Sequence, residues 1–207
     1  MSSRSVGVGR ADRRVRRGRG ALASLFAIGV SVVALLLGAK GHPVYRDGPP
    51  PGFTGGFGEQ SCHACHFDAS INDPAGIFEV SGIPTVYEAG KRYPLVVTLT
   101  RPGMEAGGFQ LTAREEQSGA QAGSLTADPA DEARVRSIED RDVEYLQQRL
   151  PGSGSSASDT LHWRVIWTAP EGSANVLFNA AANVADGDGS ASGDFVYTAK
   201  VVTRSPP

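Results

Sequence analysis

Several stretches of the chain alternate apolar and polar residues with the period of two that turns one face of a strand toward a core. Tyr93, Leu95, Val97 and Leu99 share one such face. Phe109, Leu111 and Ala113 alternate with Gln110, Thr112 and Arg114, and Leu161, Trp163, Val165 and Trp167 alternate with His162, Arg164 and Ile166. Val176, Phe178 and Ala180 form another face, and Phe195, Tyr197, Ala199 and Val201 another. Turn-forming residues separate these runs at 101–103, 118–119, 151–154, 169–172 and 186–189. Asp131 to Leu150 is the most helix-like stretch by composition, but it reads as one or two strands with loops. Short alternating strands with regular turn signals predict an all-β, antiparallel sandwich over 76–207. The shared faces are apolar, so they point to a core rather than a ligand groove.

Two earlier segments break this pattern. Residues 21–39, ALASLFAIGVSVVALLLGA, form an uncharged apolar run, preceded by seven arginines and only Asp12 as an acid. A membrane-crossing helix needs about 20 residues, and a signal-peptide core is shorter, about 7–15. Residues 1–41 therefore read as a basic cytoplasmic segment plus a single-pass signal anchor, with 42–207 outside the cell membrane. A small-x-small site at Ala39-Lys40-Gly41 leaves cleavage before His42, and hence secretion, as the alternative. Residues 42–75 begin with a Pro/Gly linker, HPVYRDGPPPGFTGGFG, expected to run extended and to space the body from the membrane.

Charge narrows the partners. Residues 42–207 hold 12 basic and 21 acidic residues, a net of −9. Phosphate binding needs clustered Lys and Arg, so nucleic acid is excluded and a basic protein partner is favoured. With only two cysteines in the chain, a multi-disulfide framework is excluded as well.

Both cysteines fall in one motif, Cys62-His63-Ala64-Cys65-His66. The C-x-x-C-H spacing is that of a c-type haem attachment site. Cys62 and Cys65 would form thioethers to the two vinyl groups of one haem, and the adjacent His66 would be the proximal iron ligand. Two other readings stay open. The cysteines could form a disulfide or redox thiol pair, or bind zinc with His63 and His66, although a second ligand pair is missing. His63 itself reads as a solvated side chain. A sixth iron ligand, His or Met in most electron carriers, could come from His162, Met104 or His42, or the position could stay open. His162 reads first as a surface or edge histidine, and Met104 as an exposed loop methionine.

Other constellations are weaker. Asp186, Asp188 and Asp194 suggest calcium, but the later acidic ligand of an EF-hand loop is missing, and a Gly-Asp turn is the better reading. Glu115-Glu116 and Glu139-Asp140 are adjacent on strands, so their side chains point to opposite faces. No Ser-His-Asp set and no phosphate-binding glycine loop is present.

A set of pieces in order resembles the bacterial choice-of-anchor V domain proteins, related to the Reeler (reelin N-terminal) domain. They include 58–66 (GEQSCHACH), 80–84 (VSGIP), 93–99 (YPLVVTL), 108–113 (GFQLTA), 163–170 (WRVIWTAP) and 181–190 (AANVADGDGS). The resemblance implies an immunoglobulin-like sandwich, exported and surface-tethered, with the haem motif before the first strand. Members often carry Tyr-x-x-His-Thr near the middle, whose His would be a second iron ligand. Here the stretch is Tyr145-Leu146-Gln147-Gln148-Arg149, with Gln148 in place of that His. The expected function is a membrane-tethered mono-haem c-type cytochrome that transfers electrons to a redox protein. The alternative is an extracytoplasmic binding, adhesion or sensor module that takes a surface ligand and in which the haem is structural or senses gas or redox state. A haem enzyme is less supported, since no distal acid–base residues are recognisable.

Overall fold

The structure is a computed structural model and describes residues 45, 47–132, 134–150, 153–154, 159–205 and 207. The basic segment, the apolar run at 21–39 and His42 lie outside these residues. Among the described residues no helix is long and apolar enough to cross a membrane.

Among the described residues nine strands carry the fold: β1 (Ile77–Ser81), β2 (Arg92–Thr100), β3 (Ala106–Glu115), β4 (Ser124–Ala127), β5 (Val135–Asp140), β6 (Val143–Gln148), β7 (Thr160–Thr168), β8 (Val176–Ala185) and β9 (Phe195–Thr203). They form two sheets, in the orders β1-β2-β7-β4 and β5-β6-β3-β8-β9. Every strand pair within them is antiparallel. The predicted all-β antiparallel sandwich is the fold observed. The ambiguous stretch 131–150 holds the β5–β6 hairpin.

The alternating faces meet between the sheets. Trp163, Trp167, Phe109, Phe178 and Leu95 are buried there. Trp167 stacks on Tyr93 at 5.6 Å and meets Phe178 edge-on at 4.9 Å, and its indole N–H donates to the Ala122 carbonyl at 2.9 Å. Each such aromatic removes about 150–250 Å² from water, about 4–6 kcal/mol of transfer free energy before entropy is counted. Pro94 is tolerated inside β2 because β1 pairs only from Val96 onward, so no ladder bond is lost on that side.

One feature of the fold positions the site. Residues 42–207 form a single compact unit, and the described part of 47–75 does not stand off as a spacer. It lies across the outer face of the five-stranded sheet. The Phe53 N–H donates to Gln110 Oε1 at 2.7 Å, Gln110 Nε2 donates to the Pro50 carbonyl at 2.9 Å, and Gln147 Nε2 to the Asp47 carbonyl at 3.2 Å. Gly56 sits so close to Asn179 that an added Cβ would lie 2.2 Å from its Cγ. Both faces of β8 are thereby covered, and its residues from Val176 to Ala182 are all buried.

Candidate functional site

The chain enters the site through a tight hairpin. Thr54 and Ser61 pair across it, and the Glu59 N–H donates to the Gly56 carbonyl at 2.8 Å. Its two central residues, Phe57 and Gly58, have φ of 51° and 79°, the left-handed pair that a two-residue hairpin turn requires. Arg114 lies over the Phe57 ring at 4.4 Å. Glu59 then fastens the hairpin to the sheet. It accepts from Thr54 Oγ1 at 2.6 Å, Arg114 Nη1 at 2.7 Å and the Tyr145 hydroxyl at 2.5 Å. Burial, then the Glu59 contact, push the Tyr145 hydroxyl well above its ordinary value.

Immediately after this clasp the chain makes a single 3₁₀ turn, Cys62–Ala64, capped by the Ser61 hydroxyl, which accepts from the His63 N–H at 3.3 Å. The Cys65 and His66 N–H groups both donate to the Cys62 carbonyl, at 3.2 and 3.0 Å. Cys62 and Cys65 are free thiols, both half-buried. Burial pushes the Cys62 thiol up to about 12.

His66 is the best-anchored residue of the motif. Its Nδ1 lies 2.5 Å from Asp194 Oδ2, with the histidine side chain 29% exposed and the aspartate 1%. The carboxylate accepts, so the Nδ1 proton faces Asp194, and in the neutral form of the ring the lone pair falls on Nε2. Asp194 is held in turn by Asn183 Nδ2 at 3.1 Å and by the Asp186 N–H at 3.4 Å. Phe67 and Ile71 follow the motif with 62% and 42% of their surface exposed.

The other sequence candidates divide. His63 is not solvated as expected, because its Nε2 donates to the Ala69 carbonyl at 3.1 Å. Met104 is not an exposed loop residue. It is 4% exposed and belongs to the core, where its sulfur would lie 3.1 Å from a Cβ built on Gly107, beside Leu99 and Leu161. His162 is a surface residue, as expected, but on a central strand rather than an edge. It pairs with Thr98 at 3.1 Å on the outer face of the four-stranded sheet. The Cys62–Ala64 turn packs against β8 of the other sheet, so two sheet layers, about 10 Å apart, separate it from His162. His42 lies outside the described residues. His162 therefore does not share the side of the molecule on which the Cys62–Ala64 turn stands, and Met104 is enclosed in the core.

Gln148 occupies a telling place. Its Oε1 accepts from the Phe109 N–H at 2.8 Å, and its Nε2 would lie 2.6 Å from a Cβ on Gly108. Gly108 pairs with Asn183, which holds Asp194. Asp194 itself was legible only as a turn or calcium candidate. It lies 128 positions from His66, so no local spacing announces their pairing. The turn reading of its neighbours stands, since Asp186 Oδ1 accepts from the Asp188 N–H at 3.1 Å and Asp188 Oδ1 from the Ser190 N–H at 2.6 Å. Among the described residues no three His, Cys, Asp or Glu side chains converge as a bare metal ion would need.

No protein-family model matches the chain, and no curated protein matches it. Among solved structures it is similar to the human F-spondin reeler domain, at 19% identity and a TM-score of 0.45, covering 65% of this chain and 93% of that one. A second structure, of the Reelin-N domain of F-spondin, gives 20% identity and a TM-score of 0.44, covering 69% and 95%. A cohesin module from a Clostridium perfringens ATCC13124 family 33 glycoside hydrolase gives 9% and 0.39, covering 62% and 93%. The fold class rests on the two sheets themselves.

Proposed function

We propose that the 62–66 segment holds one covalent c-type haem and that the chain is an extracytoplasmic, membrane-tethered electron-transfer protein. The observation that carries this reading is the arrangement at His66. The residue after C-x-x-C has its Nδ1 tied to a buried carboxylate, so that in the neutral ring Nε2 would be the ligand nitrogen. Metal-ligating histidines have this arrangement, with the second nitrogen donating to a carboxylate or carbonyl. The donor set fits the group: Cys62 and Cys65 would hold it, His66 would ligate its iron, and exposed Phe67 and Ile71 offer apolar surface beside it. Such a group supplies a one-electron couple. The chain's own residues orient the histidine through Asp194, keep Cys62 and Cys65 on one turn, and fix that turn to the sheet through Glu59. The net charge of −9 outside the N-terminal segment favours a basic redox partner.

A second reading has its own support. His162 lies on the outer face of the opposite sheet and Met104 is packed into the core, which favours an open sixth position and a gas- or redox-sensing role. One preparation tests both. Residues 42–207 are expressed in the periplasm of a host with haem-attachment machinery and extracted with acid-acetone. A reduced pyridine haemochrome spectrum of c-type is the expected result. Carbon monoxide binding to the reduced native protein then selects the sensor, and no binding selects the carrier. Absence of any haemochrome band sinks both.

A further inference from the structure

Two aspartates of the body are almost fully buried, Asp131 and Asp194. Asp131 is conventional: Arg134 Nη1 donates to it at 2.9 Å and the Arg164 N–H at 2.6 Å. Asp194 differs. Among the described residues it meets no Lys or Arg, and its one ion-pair partner is His66. Burying a carboxylate without a fixed cation is costly, so its retention here calls for a reason. Its neighbour is also held at a cost, since Asn183 gives its Nδ2 to Asp194 and leaves its own buried Oδ1 without a hydrogen bond. His66 and Asn183 both donate to the same oxygen, Asp194 Oδ2.

From this geometry we infer that Asp194 is the positioning residue that sets the electron-donating strength of His66, with Asn183 as its counterweight. This rests on the haem reading and goes beyond it. A carboxylate drawing on the Nδ1 proton gives the ring imidazolate character and makes Nε2 a stronger donor, which favours the ferric over the ferrous state and lowers the reduction potential. Asn183 moderates the effect, because a second donor on Oδ2 weakens that oxygen as an acceptor for His66.

The test uses the haem-loaded chain and two substitutions of opposite sign. Asp194→Asn removes the charge and raises the midpoint potential, and Asp194→Glu returns it toward wild type. Asn183→Ala removes the competing donor and lowers the potential. A merely structural role moves both Asp194→Asn and Asn183→Ala the same way. A readout independent of haem is the ¹⁵N shift of the His66 ring in haem-free chain, where the Nδ1–H tautomer is expected. An Nε2–H tautomer, or potentials that do not separate in these directions, overturns the inference. A wild-type chain without haemochrome overturns the haem reading instead, so the two failures are distinguishable.

Discussion

Glu59→Gln removes the charge of the clasp while keeping its shape. In the native chain Glu59 neutralises Arg114, and the two side chains are 13% and 15% exposed. Breaking such a pair from one side leaves a buried, uncompensated guanidinium, which costs about 3–5 kcal/mol. Arg114 keeps its Nε bond to the Gly119 carbonyl at 2.6 Å and its place over Phe57, so the low end applies, about 3 kcal/mol. That is a large part of a typical domain stability of about 5–15 kcal/mol. Urea unfolding of residues 42–207, followed by tryptophan fluorescence, should show the midpoint falling by about 1–3 M at unchanged slope, given a slope of about 1–3 kcal/mol/M. The double variant Glu59→Gln, Arg114→Met should lose less than the two singles together, because no unpaired cation remains. A loss below about 1 kcal/mol for Glu59→Gln, or strict additivity in the double variant, refutes the clasp and with it the argument that the motif is rigidly mounted.

Further outcomes follow from the placement of the other candidates. Met104→Ala should destabilise by about 2–5 kcal/mol as a core truncation, and His162→Ala by less than about 0.5 kcal/mol as a surface change. Neither should alter the absorption spectrum of the haem-loaded protein, and a shift in either spectrum would return that residue to the iron. In reduced, haem-free chain at pH 8, Cys62 should alkylate with iodoacetamide at least about 100-fold more slowly than after unfolding in urea, because burial holds its thiol at about 12. Equal rates would show that the thiol is open. The raised value means the folded chain keeps a proton that the unfolded chain releases. The associated stability is therefore full below about pH 9 and is lost as pH rises toward about 12, which alkaline unfolding curves should show against Cys62→Ser.

The parts of the fold that face solvent on one side were legible, and the parts covered on both sides were not. β2 and the first half of β7 alternate because the outer face of their sheet is wet there, as exposed His162 and Arg164 show. β8 reads as a strand only to Ala180, since Ala181 and Ala182 are buried on opposite faces and no alternation survives a covered sheet. The cover is residues 47–66, whose Pro and Gly suggested a spacer. Those glycines instead allow close approach, as at Gly56 against Asn179. The cysteines and His66 stand in one C-x-x-C-H run of five consecutive residues, so spacing alone singles them out. Asp194 and Glu59 could not be found that way, since Asp194 meets His66 across 128 positions and Glu59 meets Arg114 and Tyr145 across 55 and 86. Met104 misled because a turn beside Pro102-Gly103 looks exposed, while the chain folds its side chain back under Gly107.

The central claim, one haem bonded through Cys62 and Cys65, is tested most directly by intact-protein mass spectrometry of 42–207 matured with haem-attachment machinery, followed by peptide mapping. The account predicts a mass increase of one haem, located on the peptide containing 62–66, and lost in Cys62→Ala, Cys65→Ala. A wild-type mass equal to that of the bare chain, or two hydrogens less as a Cys62–Cys65 disulfide, would contradict it.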